Sequence, residues 1–269
     1  MKKIITYFVG ALLFAGTTVS AQNQARNEML LNAVSFINTP YGVKTLDMNN
    51  EEQLVLNTDE VDCVTLVENV LAMSLAEDSQ TMAVNEQDFT RWLTKIRYRN
   101  GVINGYTSRL HYMTEWIANG INQGFLEDIT AVQSPYTLKT DIHYMTSHVN
   151  DYPKLQLSAD NVNRMKQIET AISGQEVHYV PKDYLTDEGF FWIRSGDIIA
   201  ITTSTPGLDI AHMGIAMNVD GTLALLHAST TDMKVEVSKV SLKEMLRRNK
   251  SWTGVRVIRM KKELSRENP

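Results

Sequence analysis

The sequence predicts an α+β fold, with a helical N-terminal half packed on a mostly antiparallel C-terminal sheet. Three observations carry this expectation. Apolar residues recur at three- and four-residue spacing up to about residue 173, short β-branched runs bounded by turn residues follow from about residue 176, and the two patterns do not interleave. Helices first and strands after them describe segregated elements, not a parallel βαβ sheet.

The elements follow in chain order. The opening "MKKIITYFVGALLFAGTTVSAQ" sets two lysines before a short apolar run and a small-residue step ending at Ala21. That is the pattern of a secretory signal peptide over residues 1–21, so the protein is expected to be exported to the periplasm. The run is short for a membrane span, which needs about 20 apolar residues. No membrane insertion of the mature form is expected. Residues 22–269 read as a single domain with helical additions between about 78 and 175, because no repeat and no low-complexity linker interrupts them.

Residues 24–38 place Met29, Ala33, Phe36 and Ile37 at helical spacing, and "NTPYG" ends the run. Residues 62–77 form the next predicted helix, with Asp62 as its N-cap. Residues 87–99 and 108–123 predict two more, stopped at Gly101 and Gly124, and residues 158–173 another, capped by Ser158. Residues 131–157 are weakly periodic and read as a long loop of the kind that often binds a ligand. "VHYV", "GDIIAIT", "IAHMGIAMN", "TLALLHAS" and "KVEVSKV" then predict strands, "SLKEMLRR" a helix and "TGVRVIRMKK" a last strand.

Composition narrows the function. A net charge of −5 with no dense basic run argues against nucleic acid. One cysteine permits no intrachain disulfide, and the 248 residues left after export need none to build a core.

That cysteine, Cys63, falls in the first turn of the helix over residues 62–77. Free backbone N–H groups and the positive end of the helix dipole favour an anion there, so the placement is expected to lower the thiol pKa and to offer donors for an oxyanion. The alternative is a small buried hydrophobe, as free cysteines often are. Downstream, "AHMGIAMNVDGTLALLHAS" centres on Asp220-Gly221, a strong two-residue hairpin signal. If those residues are the turn, His212 lies opposite Ser229 and His227 opposite Gly214. Both imidazoles then project from one face as diagonal neighbours. One would take the thiol proton and the other would orient it, the nucleophile–base–orienter arrangement of cysteine hydrolases. Cys63, His212 and His227 could also ligate zinc, but no HExxH or paired CxxC accompanies them, and no metal is expected.

The order of "DC" at a helix start, then "HMGIAM", then "LLHAS" resembles the NlpC-type cell-wall cysteine hydrolases, a papain-like superfamily of bacterial peptidoglycan enzymes. The resemblance implies Cys63 as nucleophile, His212 as base and His227 as orienter. The superfamily more often has Ser-Gly after the cysteine, whereas this chain has Val64-Thr65. "TPYG", "DCVTLVE", "IRYRNG", "YTSRLHYMTEWI" and "AHMGIA" are similar to a narrower branch, the N-acetylmuramoyl-L-alanine amidase-like family, first described as a domain of unknown function. That branch implies a papain-like fold and hydrolysis of the amide between N-acetylmuramic acid and L-alanine in muropeptides, with no cofactor. Tyr41 matches a tyrosine that lines the family's active site; read alone, "TPYG" is a turn and Tyr41 packing. Arg109 and His111, set with Tyr112 in the first turn of the helix over residues 108–123, could meet a sugar or a peptide carboxylate. Glu68 reads as the partner of an arginine such as Arg97 or Arg99, not as a catalytic acid. The rivals are a D-glutamyl-diamino acid endopeptidase of the same superfamily, a zinc amidase, a thiol acyltransferase on lipids, and a peptidoglycan-binding module with a dead site.

Overall fold

A computed structural model describes residues 28–77, 81 and 83–261. The predicted signal peptide, the start of the first predicted helix and the last residues of the chain lie outside the described residues. The helical half contains α1 (Glu28–Ser35), α2 (Cys63–Ala76), α3 (Glu86–Arg97) and α4 (Met113–Asn122). Asp62 caps α2 as expected: its carboxylate accepts from Val64 N at 3.0 Å and Thr65 N at 2.7 Å, and the Thr65 hydroxyl returns to the Asp62 N–H at 2.8 Å. From Leu66 to Ala72 every residue of α2 is buried, so this is a central helix packed on all sides.

Residues 131–157 are not one loop. The chain passes through β1 (Leu126–Asp128), α5 (Ile129–Gln133), β2 (Thr137–Lys139), α6 (Tyr144–Ser147) and α7 (Pro153–Gln156) before α8 (Ala159–Ile172), which Ser158 caps. Each piece is too short to display a period, which is why the pattern read as loop. They close a small core of Tyr106, Tyr112, Ile142, Met145, Leu155, Met165 and Ile172.

The C-terminal half supplies β3 (Glu176–His178), β4 (Val180–Pro181), β5 (Ile198–Thr203), β6 (Ile210–Val219), β7 (Thr222–Ser229), β8 (Lys234–Val237), α9 (Leu242–Arg248) and β9 (Trp252–Met260). Among the described residues, seven strands make one antiparallel sheet in the order β1-β9-β5-β6-β7-β8, with β4 also on β9; β2 and β3 pair separately. Strand β5 explains the unbroken "IIAIT". Ile198 and Ala200 face the core built by α2, while Ile199 and Ile201 face the core built by α9, so both faces are covered and no polar alternation survives. Asp220 (φ +50°) and Gly221 (φ +84°) form the β6–β7 turn, with Val219 facing Thr222 through to Ile215 facing Leu226. This is the predicted register, with both turn residues left-handed as a tight hairpin requires.

The helix expected over residues 108–123 starts late, at Met113. Tyr106–Ser108 instead make a 3-10 turn after Gly105, and the backbone of 109–110 pairs with residues 97–98, Leu110 N donating to Arg97 O at 2.9 Å. That tertiary pairing competes with the helical ladder and wins. The first turn of α4 is capped from a distance, Thr114 N donating to the Asp209 carboxylate at 2.6 Å.

Candidate active site

Cys63 is the first residue of α2 and is partly buried. The backbone N–H groups of Met213, Cys63 and Val64 act on its sulfur and favour the thiolate. The helix start therefore meets strand β6 one residue from His212. Two expectations about this thiol are corrected. Burial first, and then the negative charge of Asp62, push it up to about 12 from an ordinary 9, outweighing the three N–H groups that pull it down. The helix-end donors are also partly spent, because Val64 N and Thr65 N bond the Asp62 cap. The residue that makes a good N-cap is an acid next to the sulfur, and the dipole argument alone misses that.

His212 and His227 do meet. Nε2 of His212 lies 2.9 Å from Nδ1 of His227, with the rings nearly perpendicular at 83°. If His212 Nε2 carries the proton of this bond, its Nδ1 is left with a lone pair, and His227 keeps its own proton on Nε2. Burial drives both toward neutrality. His212 falls to about 3, helped by the neighbouring ring, and His227 to about 4, despite the opposing pull of Asp232 and the Ala228 backbone. Trp252 stacks on His212 at 5.6 Å and 12°, fixing the plane of the imidazole. Sequence reading did not single out Trp252; β9 reaches His212 only across β5, a pairing that local pattern does not reveal. Gly214 admits the close approach of β7: a Cβ there would sit 2.7 Å from Leu226 O.

Tyr41 is brought to the same place. Its N–H donates to Met233 O at 3.0 Å, Gly42 N donates to Val61 O at 3.1 Å, and a bridge joins Pro40 to Lys234. "TPYG" thus runs between β8 and the residue two before Cys63. Burial raises the Tyr41 hydroxyl above its ordinary 10, and the negative charge of Cys63, once ionised, and of Asp62 adds to the shift.

Arg109, His111 and Tyr112 do not occupy a helix turn. They precede α4, and Tyr112 is its N-cap residue. Arg109 is buried, bonding the Asp47 carboxylate, with Glu52 at 3.6 Å and its guanidinium over the Tyr106 ring at 5.1 Å. His111 bonds Tyr106 O at 3.0 Å, and burial with the charge of Arg109 lowers it to about 3. Tyr112 donates to Glu169 at 2.7 Å and accepts from Met145 N at 2.8 Å. These contacts tie the loop before α2 and the helical additions to the body. Glu68 pairs with Arg97 at 2.7 Å, both side chains 2% exposed. Among the described residues no group of three His, Cys, Asp or Glu side chains is arranged to hold a metal ion.

A cysteine at the capped start of a central helix, set against an antiparallel sheet that carries a histidine pair, defines a papain-like α+β protein. A family model described as N-acetylmuramoyl-L-alanine amidase-like matches residues 32–255, and the chain belongs to that AmiA-like family. An N-acetylmuramoyl-L-alanine amidase from Bacteroides uniformis is 53% identical, with a TM-score of 0.86 over 88% of this chain and all of that one. A Bacteroides fragilis protein provisionally named a xylanase is 51% identical, with a TM-score of 0.83 over 86% of this chain and all of that one. A Legionella pneumophila protein, 24% identical with a TM-score of 0.65 over 87% of this chain and 88% of its own, shares the fold. A comparison with curated proteins found no match. Family membership supports a hydrolase of the peptidoglycan-amidase type. Among the described residues no helix is long and apolar enough to cross a membrane.

Proposed function

We propose that this protein is an exported cysteine hydrolase that cleaves the amide between N-acetylmuramic acid and L-alanine in muropeptides, in cell-wall turnover. The observation that carries the reading is a cysteine at the capped start of α2, a helix packed on β6, the strand that carries His212, whose imidazole a second histidine bonds at 2.9 Å. The site rests neutral, as thiol and imidazole, so the proton moves during attack and no ion pair is stored beforehand. His212 takes the thiol proton as Cys63 attacks the lactoyl carbonyl. The Cys63 N–H, which the Asp62 cap leaves unused, and the Tyr41 hydroxyl stabilise the oxyanion. His212 then protonates the departing alanine nitrogen, the C–N bond breaks, and water hydrolyses the thioester. His227 holds the ring in the tautomer this requires.

A xylanase would need two carboxyl groups flanking one glycosidic bond. The carboxylates whose charges act on this thiol and histidine pair have other partners, Asp62 its helix cap and Asp232 the Lys239 ammonium at 3.0 Å. The test incubates the mature protein and a folded Cys63→Ala variant with defined muropeptides and reads the products by mass. Free stem peptide from the wild type alone is expected. Hydrolysis retained in the variant defeats the reading, and a cut after D-glutamate reassigns the bond. Binding without any product would leave a cell-wall binding module.

A further inference from the structure

Residues 42–60, between Tyr41 and the cap of α2, contain no helix and no strand. A stretch that long without regular structure inside a compact domain usually serves a function. Its two ends meet in a neck, where Gly42 N donates to Val61 O at 3.1 Å and Val61 N to Pro40 O at 3.0 Å. One side of the neck carries Tyr41, and the other leads directly into Asp62 and Cys63. The neck is tight: a Cβ on Gly42 would lie 2.7 Å from Thr45 Cγ2 and 2.9 Å from Glu60 Cγ. Beyond it, Leu54 rests on the main core, and the hydrogen bonds that hold residues 48–57 to the rest of the described chain come from side chains. Lys154 donates to Asn49 O and Asn50 O, Tyr98 to Gln53 O, Arg97 to Val55 O and Asn69 to Asn57 O.

Of the buried anchors, Arg109 grips the loop nearest to Tyr41, at Asp47, six residues further along the chain. Its Nη2 lies 2.5 Å from the Asp47 carboxylate and its Nε 3.6 Å from Glu52, which also accepts from the Tyr98 hydroxyl at 2.8 Å. Arg109 is a rigid post. It is 6% exposed, its neighbour Leu110 is bonded to Arg97 O, and its guanidinium lies over the Tyr106 ring. On the loop side, Asp47 N donates to Lys44 O at 3.0 Å, closing a turn that contains the Thr45 packed on Gly42. The other tie on this side is exposed, Lys44 Nζ to Asp151 O at 3.4 Å. Contacts therefore run without a gap from Arg109 through Asp47 and Thr45 to Gly42 and Tyr41. Close-packed contacts transmit displacement, and a shift of about 1 Å at a reacting group can cost on the order of a hundred-fold in rate.

We infer that Arg109 is a positioning residue that, through Asp47 and the neck of the 42–60 loop, sets the placement of the Tyr41 hydroxyl at the site. The inference rests on the oxyanion role given to Tyr41 above. Its test perturbs the loop side, because the Asp47 side chain is 28% exposed and its replacement can hydrate, whereas a truncated Arg109 would strand two carboxylates. In Asp47→Asn, kcat for a defined muropeptide should fall about ten-fold while KM stays within about two-fold. In a Tyr41→Phe background the same substitution should cost less than about two-fold, since the group it displaces is already gone. An equal loss in both backgrounds overturns the inference, and so does an unchanged kcat. A readout that needs no substrate comes from carbon-13-labelled tyrosine, with the Tyr41 ring assigned by its disappearance in Tyr41→Phe. The charges that act on Tyr41 are those of Cys63 and Asp62, so movement of its ring resonances in Asp47→Asn reports the loop and not the lost carboxylate. Resonances that stay in place sink the inference even where kcat falls. If the wild type cleaves no muropeptide, the proposed function falls and the ring resonances alone decide whether Arg109 positions Tyr41.

Discussion

The titration of Cys63 tests the site most directly. Burial and Asp62 carry the thiol from 9 to about 12, and three pKa units correspond to about 4 kcal/mol. Alkylation follows the thiolate fraction. The free enzyme should therefore react with iodoacetamide about a thousand-fold more slowly at pH 7 than an ordinary cysteine, with the rate still rising beyond pH 10. Replacing Asp62 by Asn separates the two causes. Asparagine keeps the acceptor for Val64 N and Thr65 N, so α2 stays capped, while the adjacent charge is gone. The thiol should drop by about one unit, as expected for loss of a like charge at this range. Asp62→Ala should add a stability loss of about 1 kcal/mol in urea unfolding from the missing cap. The assay is alkylation rate against pH, followed by mass spectrometry. A half-maximal rate below pH 8 in the wild type, or an Asp62→Asn profile that moves upward, would refute this account of a neutral resting site.

Four further outcomes follow from the site and the packing around it. Because burial lowers His212 to about 3 and His227 to about 4, the acid limb of kcat/KM should fall near pH 4, not near 6.5, and a limb at 6.5 would show that the pair is solvated in solution. A depressed folded pKa gives stability that is present above the unfolded value and lost as pH falls, so urea midpoints should decline steadily from about pH 6.5 toward pH 3. Glu68→Gln leaves the buried Arg97 without its counter-charge and should cost about 3–5 kcal/mol, whereas a loss under 1 kcal/mol would mean the pair is hydrated. Gly214→Ala must push β7 away from β6 at Leu226 O, so kcat should fall more than stability does, read by muropeptide turnover beside thermal unfolding.

Much of this arrangement was legible in the chain. Asp62 announced the start of α2, Asp220-Gly221 fixed the hairpin register, and that register alone put His212 and His227 on one face. These are local effects, in which capping chemistry, turn dihedrals and a period of two act over a few residues. Glu68 as an arginine's partner was legible for the same reason, since a carboxylate inside an apolar stripe demands a cation.

What the sequence could not determine depends on residues far apart. The start of α4 moved because residues 97–98 captured the backbone of 109–110, and Arg109 turned inward because Asp47 and Glu52 fold over it. The thiol pKa depends on how much water packing removes, and neither that desolvation nor the Trp252 stack is encoded in any window of the chain. Local sequence sets which groups a segment can offer; only tertiary packing decides the dielectric around them and the partners left over, and those decide the chemistry.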